Sequence, residues 1–195
     1  MDETHDTPGS PDPSRQRLFF ALWPSDAERR ALVRWRDALP KLRGRFVPAG
    51  NLHMTLAFAG SVDAGTRDCL MQRAADVHGE PCAVQLDRLG RFSRGLMWVG
   101  PQTCPAPLAT LARSLSGVLA DCGLEPDPRP FHAHITLVRA MRSRLPEAAA
   151  PNHVWQLDRF CLVCSRPGQG YEVLRTFPLG MQTLGSLSMD SGSVE

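Results

Sequence analysis

The sequence carries one short motif twice, His-x-Thr-Leu, at residues 53–56 and again at residues 134–137. Each copy stands inside an apolar run, NLHMTLAFAG in the first case and FHAHITLVRA in the second. In a β-strand, residues i and i+2 point to the same face, so each His and Thr would share one face and the apolar residues the other. The repeat therefore predicts two similar strands, each presenting one imidazole and one hydroxyl away from a core.

The polar residues of the two motifs are His53, Thr55, His134 and Thr136. Two imidazoles with near-neutral pKa values can divide acid–base work, because one accepts a proton while the other donates one. Two threonine hydroxyls can hold phosphate oxygens without adding charge. If the two strands lie side by side, the pattern indicates metal-free phosphoester chemistry by general acid–base catalysis.

A zinc site is the alternative that these histidines raise. His132 and His134 form a His-x-His pair, and His53 could join them, but no Asp, Glu or Cys lies nearby in sequence to complete a tetrahedral set. Cys161 and Cys164 have the CxxC spacing of metal and redox sites. They lie in a strand-like run, where positions three apart face opposite sides of a sheet, which disfavours joint metal binding.

Apolar periodicity and turn residues divide the rest of the chain into interleaved strands and helices. This mixture, with hairpins among the strands, indicates an α+β fold, and the repeated motif indicates two similar lobes. The predicted elements are a strand at 17–24, a helix after the capping-box residues 25–28, a strand within 45–60, a helix capped by Asp63, strands at 82–92 and 96–100, a helix at 105–122, and two paired strands at 153–165 and 171–179.

Composition limits the class of protein. Hydrophobic content of 43% and charged content of 22% are typical of a globular domain, and no apolar run approaches the ~18 residues of a membrane span. The acidic, Pro-rich start is not a secretory signal, so we expect a disordered leader at 1–16, a two-lobed domain at 17–180, a disordered tail at 181–195 and a cytoplasmic location. The six cysteines are then expected to be reduced and mostly buried.

The basic residues are almost all arginine, since Lys41 is the only lysine among 22. Genomic base composition is the simplest explanation for most of them. The net charge of +2 is too small to indicate binding of long duplexes. Guanidinium groups nevertheless suit stacking on a base and pairing with a phosphate.

With these motifs the sequence resembles the RNA 2′,3′-cyclic phosphodiesterases, also called 2′-5′ RNA ligases, of the two-histidine phosphoesterase superfamily. The resemblance runs from Arg17 to about Leu179 and rests on RLFFALWP, NLHMTLAFAG, GRFSRGLMWVG, PFHAHITLVRA and YEVLRTFPL. It implies a bilobal α+β fold, with two antiparallel sheets in pseudo-twofold symmetry around a central cleft and helices on the outer faces. It also implies that the protein needs no metal or cofactor and takes RNA 3′ ends bearing a 2′,3′-cyclic phosphate. Nothing in the sequence indicates more than a monomer.

The resemblance further implies hydrolysis of that cyclic phosphate to a 2′-phosphomonoester, together with a weak, reversible 2′-5′ ligation at the same site. The residues it implies are the catalytic pair His53 and His134, the phosphate-holding Thr55 and Thr136, Arg139 at the phosphate and base, and Phe92 stacked on the terminal base. We expect His53 to protonate O3′ and His134 to activate water, although the symmetry of the motifs leaves that order open. An ordinary core aromatic is the alternative for Phe92, because alternation is lost at RLGRF.

Arg139 lies five residues after His134 and three after Thr136. An odd offset places a residue on the opposite face of a regular strand, so Arg139 would point away from the cleft. Its side chain reaches the cleft only if the strand bulges or ends between Leu137 and Arg139. Two other functions stay open at this point. One is a related phosphodiesterase acting on 2′-5′ oligonucleotides or another cyclic nucleotide phosphate, and the other is a non-catalytic module that binds RNA ends.

Overall fold

The computed structural model describes residues 14–40, 42–166 and 168–180. The predicted tail at 181–195 and most of the predicted leader lie outside the described residues. Gln16, the last residue of that leader, already begins the first strand. None of the helices in the described ranges combines the length and apolar character that crossing a bilayer needs.

Strands and helices alternate along the chain, as the sequence predicts. In order, they are β1 (Gln16–Leu22), α1 (Asp26–Asp37), β2 (Arg45–Phe46), β3 (Met54–Val62), α2 (Ala64–Ala75), β4 (Cys82–Leu86), β5 (Arg88–Phe92), β6 (Leu96–Gly100), α3 (Ala106–Asp121), β7 (Ile135–Arg139), β8 (His153–Leu157), β9 (Arg159–Arg166) and β10 (Gly170–Pro178). A short 3₁₀ turn at Ala49–Asn51 precedes β3.

The helix ends follow the local signals in the sequence. A capping box starts α1, because the Ser25 hydroxyl accepts from the Glu28 amide while the Glu28 carboxylate accepts from the Ser25 amide. Asp63 caps α2 by accepting from the Thr66 amide at 2.8 Å. Beyond α3, Gly123 has the positive φ of 75° that a helix-terminating glycine adopts. All three predicted helices are confirmed.

A large antiparallel sheet of eight strands organises the fold. Its order is β10-β9-β1-β3-β7-β6-β5, and the short β2 pairs with β7. The strands that follow the two histidines, β3 and β7, are central neighbours and meet at the single registered pair Met54–Ile135. On one side β1 and β3 are joined through α1, and on the other β6 and β7 are joined through α3, so the two halves repeat one arrangement. The α+β class with two antiparallel sheets is confirmed, the second sheet being the pair β4–β8.

Two stretches predicted as single strands are each divided between the two sheets. Residues 82–92 break at Asp87 into β4 and β5, and residues 153–165 break at Asp158 into β8 and β9. The Asp87 carboxylate accepts from the Gln102 amide at 2.6 Å, which fixes the chain at the break. Aspartate is a poor strand residue, and here it marks the point where the chain changes sheet. Alternation alone did not reveal this change.

The two faces of the large sheet are both covered, but unequally. Alternate residues of β1 divide between them: Leu18 and Phe20 enter the main core with the helices, and Phe19 and Ala21 join a smaller cluster on the other face. Cys161 and Cys164 also lie on opposite faces of the sheet, since Cys161 belongs to the smaller cluster and Cys164 to the main core. The predicted opposite orientation of these two thiols is confirmed.

One pair of cysteines departs from the expectation of reduced thiols. Cys69 in α2 and Cys122 at the end of α3 form a disulfide, with their Cα atoms 5.9 Å apart. The two residues are 53 positions apart in sequence, and they meet because α2 packs on α3. The sequence does not reveal which helices are neighbours, so the pair was not predictable. The other four are free and buried or half-buried: Cys82, Cys104, Cys161 and Cys164.

Candidate active site

Both motif histidines stand at the entrance of a central strand. The strands begin at Met54 and Ile135, so each histidine is the residue immediately before its strand rather than inside it. His53 Nδ1 lies 2.7 Å from the Asn51 carbonyl oxygen, and His134 Nδ1 lies 2.7 Å from the carbonyl oxygen of His132, in each case two residues earlier. A carbonyl oxygen only accepts, so each Nδ1 carries the proton. In a neutral ring, Nε2 is then left with its lone pair available for chemistry.

The two imidazoles are close enough to affect each other electrostatically. Burial lowers the pKa of His53 to about 4, and the positive charges of Arg139 and His134 add to this effect. The hydrogen bond to the Asn51 carbonyl opposes it. Burial also lowers the pKa of His134, with added repulsion from His132 and Arg139. At neutral pH the free protein therefore holds both imidazoles in the neutral form.

The two motif threonines lie on the same face as their histidines. Thr55 pairs across the sheet with Ala21, which belongs to the smaller cluster. Thr136 pairs with Trp98, whose ring centroid is 6.3 Å from that of His134. Both threonines are half-buried, and neither hydroxyl has a hydrogen-bond partner within the described ranges. The structure thus brings two imidazoles and two available hydroxyls to one side of the sheet.

A bulge interrupts β7 where a cleft position for Arg139 requires it. Trp98 of β6 faces Thr136, but the next residue back, Met97, faces Val138. Leu137 is therefore an extra residue without a partner in β6, and it reverses the alternation of the residues that follow. Val138 accordingly turns into the main core beside Met97.

Beyond the bulge, Arg139 lies on the same face as the imidazoles. Its positive charge lowers the pKa of both, so it lies within electrostatic reach of each. The chain then turns sharply, with Ala140 at a φ of 52°. The turn is held by the Met141 amide, which donates to the Gly95 carbonyl at 2.9 Å, and by Arg91 Nη2, which donates to the Met141 carbonyl at 3.0 Å.

Phe92 stands beside His134 rather than in the hydrophobic core. Its ring centroid is 4.9 Å from that of His134 and 5.1 Å from that of Trp98. Phe92 is half-buried and belongs to neither core cluster. Gly90 makes room for this arrangement, since a Cβ there would lie 2.1 Å from the Trp98 ring. This position favours a wall of the cleft over the alternative of an ordinary core aromatic.

A different set of aromatic rings surrounds His53, and sequence reasoning did not identify it. Trp23 stacks on the imidazole at 5.6 Å and 16°, and Phe19 and Tyr171 pack against it at 4.9 and 5.1 Å. These rings keep water from the imidazole, which explains the fall in its pKa. Phe19, Ala21 and Trp23 alternate along the sequence, and that alternation was a usable signal. Tyr171 gave none, because it reaches His53 only through the pairing of β9, β10 and β1.

His132, which the zinc alternative invoked, packs among rings. Its centroid is 4.7 Å from the Trp98 ring and 6.0 Å from that of His134. Over the described ranges, no group of three or more His, Cys, Asp or Glu side chains is arranged to hold a metal ion.

Comparison with known proteins places this arrangement in a family. A sequence profile of the 2′-5′ RNA ligase superfamily matches residues 23–167. A curated Escherichia coli (strain K12) protein named RNA 2′,3′-cyclic phosphodiesterase is 38% identical over 126 residues, which is 64% of this chain and 72% of the relative. A protein of the same name from Archaeoglobus fulgidus is 30% identical over 138 residues, 68% of this chain and 77% of its own.

Solved structures agree with the sequence comparison. The crystal structure of E. coli LigT in apo form has a TM-score of 0.79 at 31% identity, over 86% of this chain and 99% of that one. The crystal structure of E. coli LigT complexed with 3′-AMP has a TM-score of 0.76 at 30% identity, with the same coverage. The profile spans most of the chain, and it includes both His-x-Thr motifs. The chain therefore belongs to the 2′-5′ RNA ligase superfamily.

Proposed function

We propose that the protein hydrolyses 2′,3′-cyclic phosphate ends of RNA to 2′-phosphomonoesters, by acid–base catalysis and without a metal ion. The observation that carries the proposal is the duplicated imidazole. His53 and His134 each donate from Nδ1 to a carbonyl oxygen 2.7 Å away, which leaves both Nε2 atoms to act on one substrate. The names of the curated relatives, and the complex of E. coli LigT with 3′-AMP, support this substrate class.

In the proposed reaction, water attacks phosphorus in line with the bond to O3′. One imidazole takes a proton from the water, a new P–O bond forms, and the P–O3′ bond breaks. The other imidazole gives its proton to O3′, so the product carries a 2′-phosphate and a free 3′-hydroxyl. We assign His53 to O3′ and His134 to the water. When a 5′-hydroxyl takes the place of water as the nucleophile, the same P–O3′ bond breaks and a 2′-5′ linkage forms, which accounts for a weak ligation.

The cleft supplies what this reaction needs in charge and hydrogen bonds. Both imidazoles are neutral in the free protein, because their pKa values are lowered. The proton that the acid needs is therefore taken up with the anionic phosphate, whose charge favours an imidazolium. The hydroxyls of Thr55 and Thr136 hold non-bridging oxygens, and the guanidinium of Arg139 balances the charge of the phosphorane. Phe92, beside His134, offers a face for the terminal base.

The first test replaces each histidine by asparagine, whose side-chain amide can keep the bond to the Asn51 or His132 carbonyl. We expect His53→Asn and His134→Asn each to lower kcat on a short RNA with a cyclic phosphate end by about 10² or more. Wild-type activity should be unchanged in excess EDTA. Loss of activity in EDTA, restored by a divalent ion, would contradict the metal-free mechanism. Turnover of a 2′-5′ linked dinucleotide but not of the cyclic end would favour the related phosphodiesterase, and binding without turnover would favour the non-catalytic module.

A sulfur substrate separates the roles of the two histidines. When sulfur replaces O3′, the leaving thiolate needs no proton, so the variant that lacks the acid should recover most of its rate. We expect recovery for His53→Asn and none for His134→Asn. Recovery for the opposite variant would reverse the assignment while leaving the paired mechanism intact.

One chain supplies the whole cleft, so the proposed enzyme is active as a monomer. Its RNA substrate and its four free cysteines suit the cytoplasm, where thiols are kept reduced. In that compartment we expect thiol exchange to hold Cys69 and Cys122 partly or wholly in the reduced form.

A further inference from the structure

A groove of about 520 Å³ lies between α1 and the 3₁₀ turn Ala49–Asn51. It is separate from the imidazole cleft, and neither the sequence motifs nor the proposed reaction uses it. We propose that this groove binds a nucleotide of the same RNA strand, upstream of the cyclic phosphate end. The inference rests on the proposed function and extends it from the terminal nucleotide to the body of the RNA.

The groove carries more positive than negative charge. Arg29, Arg30 and Arg34 line it together with a single carboxylate, Asp26. Asp26 is paired with Arg29 at 2.5 Å. Arg30 and Arg34 are exposed, stand one helical turn apart on the same side of α1, and form no ion pair within the described ranges. An anion in the groove would therefore meet two guanidinium groups that no carboxylate already occupies.

The lining of the groove is mainly apolar between its charged groups. Besides the charged residues, the lining consists of Val33 of α1 and of Ala49 and Gly50. An apolar surface beside two guanidinium groups suits a ligand that has both a planar ring and an anion. A nucleotide has this combination, because its base can pack against the apolar residues while its phosphate is bound by the arginines.

The groove and the cleft share one short segment of chain. Gly50 lines the groove, and the next residue, Asn51, provides the carbonyl that accepts from His53 Nδ1. Gly50 is three residues from His53, so their Cα atoms are separated by at most about 11 Å. An RNA whose cyclic phosphate lies at the imidazoles is therefore close enough to enter the groove with a nearby upstream nucleotide.

The test compares two substrates, a cyclic mononucleotide and a hexanucleotide ending in the same 2′,3′-cyclic phosphate. We expect the wild type to favour the hexanucleotide in kcat/KM. Arg30→Ala/Arg34→Ala should lower the ratio of the two kcat/KM values about five- to tenfold, on the scale of two exposed charge pairs. Alanine is compatible with the helix, so the fold of α1 is kept. The matched control is Arg73→Ala/Arg113→Ala, which removes two charges from exposed positions on α2 and α3 and should leave the ratio unchanged.

A steric variant tests the same groove without altering charge. A Cβ at Gly50 would meet no atom within 4 Å, so a side chain can start there without a clash, and Gly50→Phe adds a bulky ring to the lining of the groove. This variant should also lower the ratio of kcat/KM for the hexanucleotide to kcat/KM for the cyclic mononucleotide.

A binding measurement tests the groove without catalysis. The affinity of a labelled hexanucleotide with a 3′-hydroxyl end should fall about five- to tenfold in the arginine double variant, again on the scale of two exposed charge pairs. The slope of log affinity against log salt should become shallower by about 0.7 for each phosphate that the variant no longer neutralises.

The outcomes separate the two proposals. If the cyclic mononucleotide is hydrolysed but the substrate ratio and hexanucleotide affinity are the same in wild type, double variant and Gly50→Phe, the groove proposal is wrong and the proposed function stands. If neither cyclic substrate is hydrolysed, the proposed function is wrong, and the hexanucleotide affinity alone tests whether the groove binds RNA. The Arg73→Ala/Arg113→Ala control could instead lose as much affinity as the Arg30→Ala/Arg34→Ala variant. The effect would then come from overall charge, and the groove proposal would be wrong.

Discussion

A guanidinium beside two neutral imidazoles sets the charge of the cleft. Arg139 reaches this position only because Leu137 forms a bulge in β7. The guanidinium lowers the pKa of both histidines in the free protein, and it would offset the charge of a bound phosphate. A planar fork can also contact two phosphate oxygens at once, which an ammonium group cannot.

We therefore expect Arg139→Lys to lower kcat/KM on an RNA cyclic phosphate end by about tenfold or more, the scale of one charge-assisted hydrogen bond. The variant keeps the positive charge, so a fall in kcat/KM would report the geometry of the fork. Arg91→Lys would alter the nearby loop contact at Met141 and is unsuitable as a control. Arg113→Lys is suitable, since Arg113 is exposed on α3. A fully active Arg139→Lys enzyme would contradict a direct role for the guanidinium.

At the residue scale, the placement of side chains could be predicted where they belong to one short motif. The paired histidines and threonines follow from parity in two strands, and the bulge at Leu137 was required by the parity of Arg139. The rings around His53 were harder to predict, because Tyr171 approaches from a hairpin far along the chain. Contacts of this kind depend on the order of strands in the sheet, which the sequence does not state.

The disulfide between α2 and the end of α3 is the main unpredicted feature at the scale of elements. It closes a loop with a sequence separation of 53, on the side of the fold formed by two packed helices. Local signals placed both helices correctly, through the Asp63 cap of α2 and Gly123 after α3. These signals carry no information on which helix packs on which. They also do not show which strands pair, so the changes of sheet at Asp87 and Asp158 were not predicted.

We expect Cys69→Ala/Cys122→Ala to lower the free energy of unfolding by about 2–4 kcal/mol under oxidising conditions, because the cross-link restricts the unfolded chain. Urea unfolding followed by circular dichroism measures the change. In excess reductant the wild type should fall to the stability of the double variant. Cys104→Ala, which removes a free half-buried thiol and keeps the disulfide, is the control and should lose as much stability in reductant as the wild type does. A wild-type stability that reductant does not alter would contradict a contribution from the cross-link.

At the scale of the whole molecule, the two repeated halves share one core. Met54 and Ile135, the pair that joins the halves, both belong to the main hydrophobic cluster, which also takes in residues from all three helices. The cleft side of the same junction carries the two imidazoles. Folding therefore buries two titratable rings at the point where the halves meet, and the stability of the entire protein is linked to their protonation.

This linkage has a definite sign. The pKa of His53 falls from 6.5 to about 4 on folding, and the pKa of His134 is lowered as well, so the unfolded chain binds more protons than the folded one between about pH 4 and 6.5. Stability is therefore lost as pH falls from 6.5 toward 4, by at most about 3 kcal/mol for His53. Four carboxylates also have lowered pKa values: Asp26, Asp63, Asp127 and Asp158. They lose their stabilising effect only near and below their ordinary pKa of 3.8, so this pH window lies below that of the histidines.

We accordingly expect the free energy of unfolding, measured by urea denaturation between pH 4.5 and 7.5, to decline steadily on the acid side of pH 6.5. His53→Asn removes the titrating ring, and its amide can keep the bond to the Asn51 carbonyl, so its stability should change much less over the same range. His78→Asn is the matched control, because His78 is exposed and should leave the wild-type slope unaltered. If His53→Asn and wild type show the same dependence on pH, the neutral buried imidazole at the junction of the two halves is not what couples this protein's stability to acid.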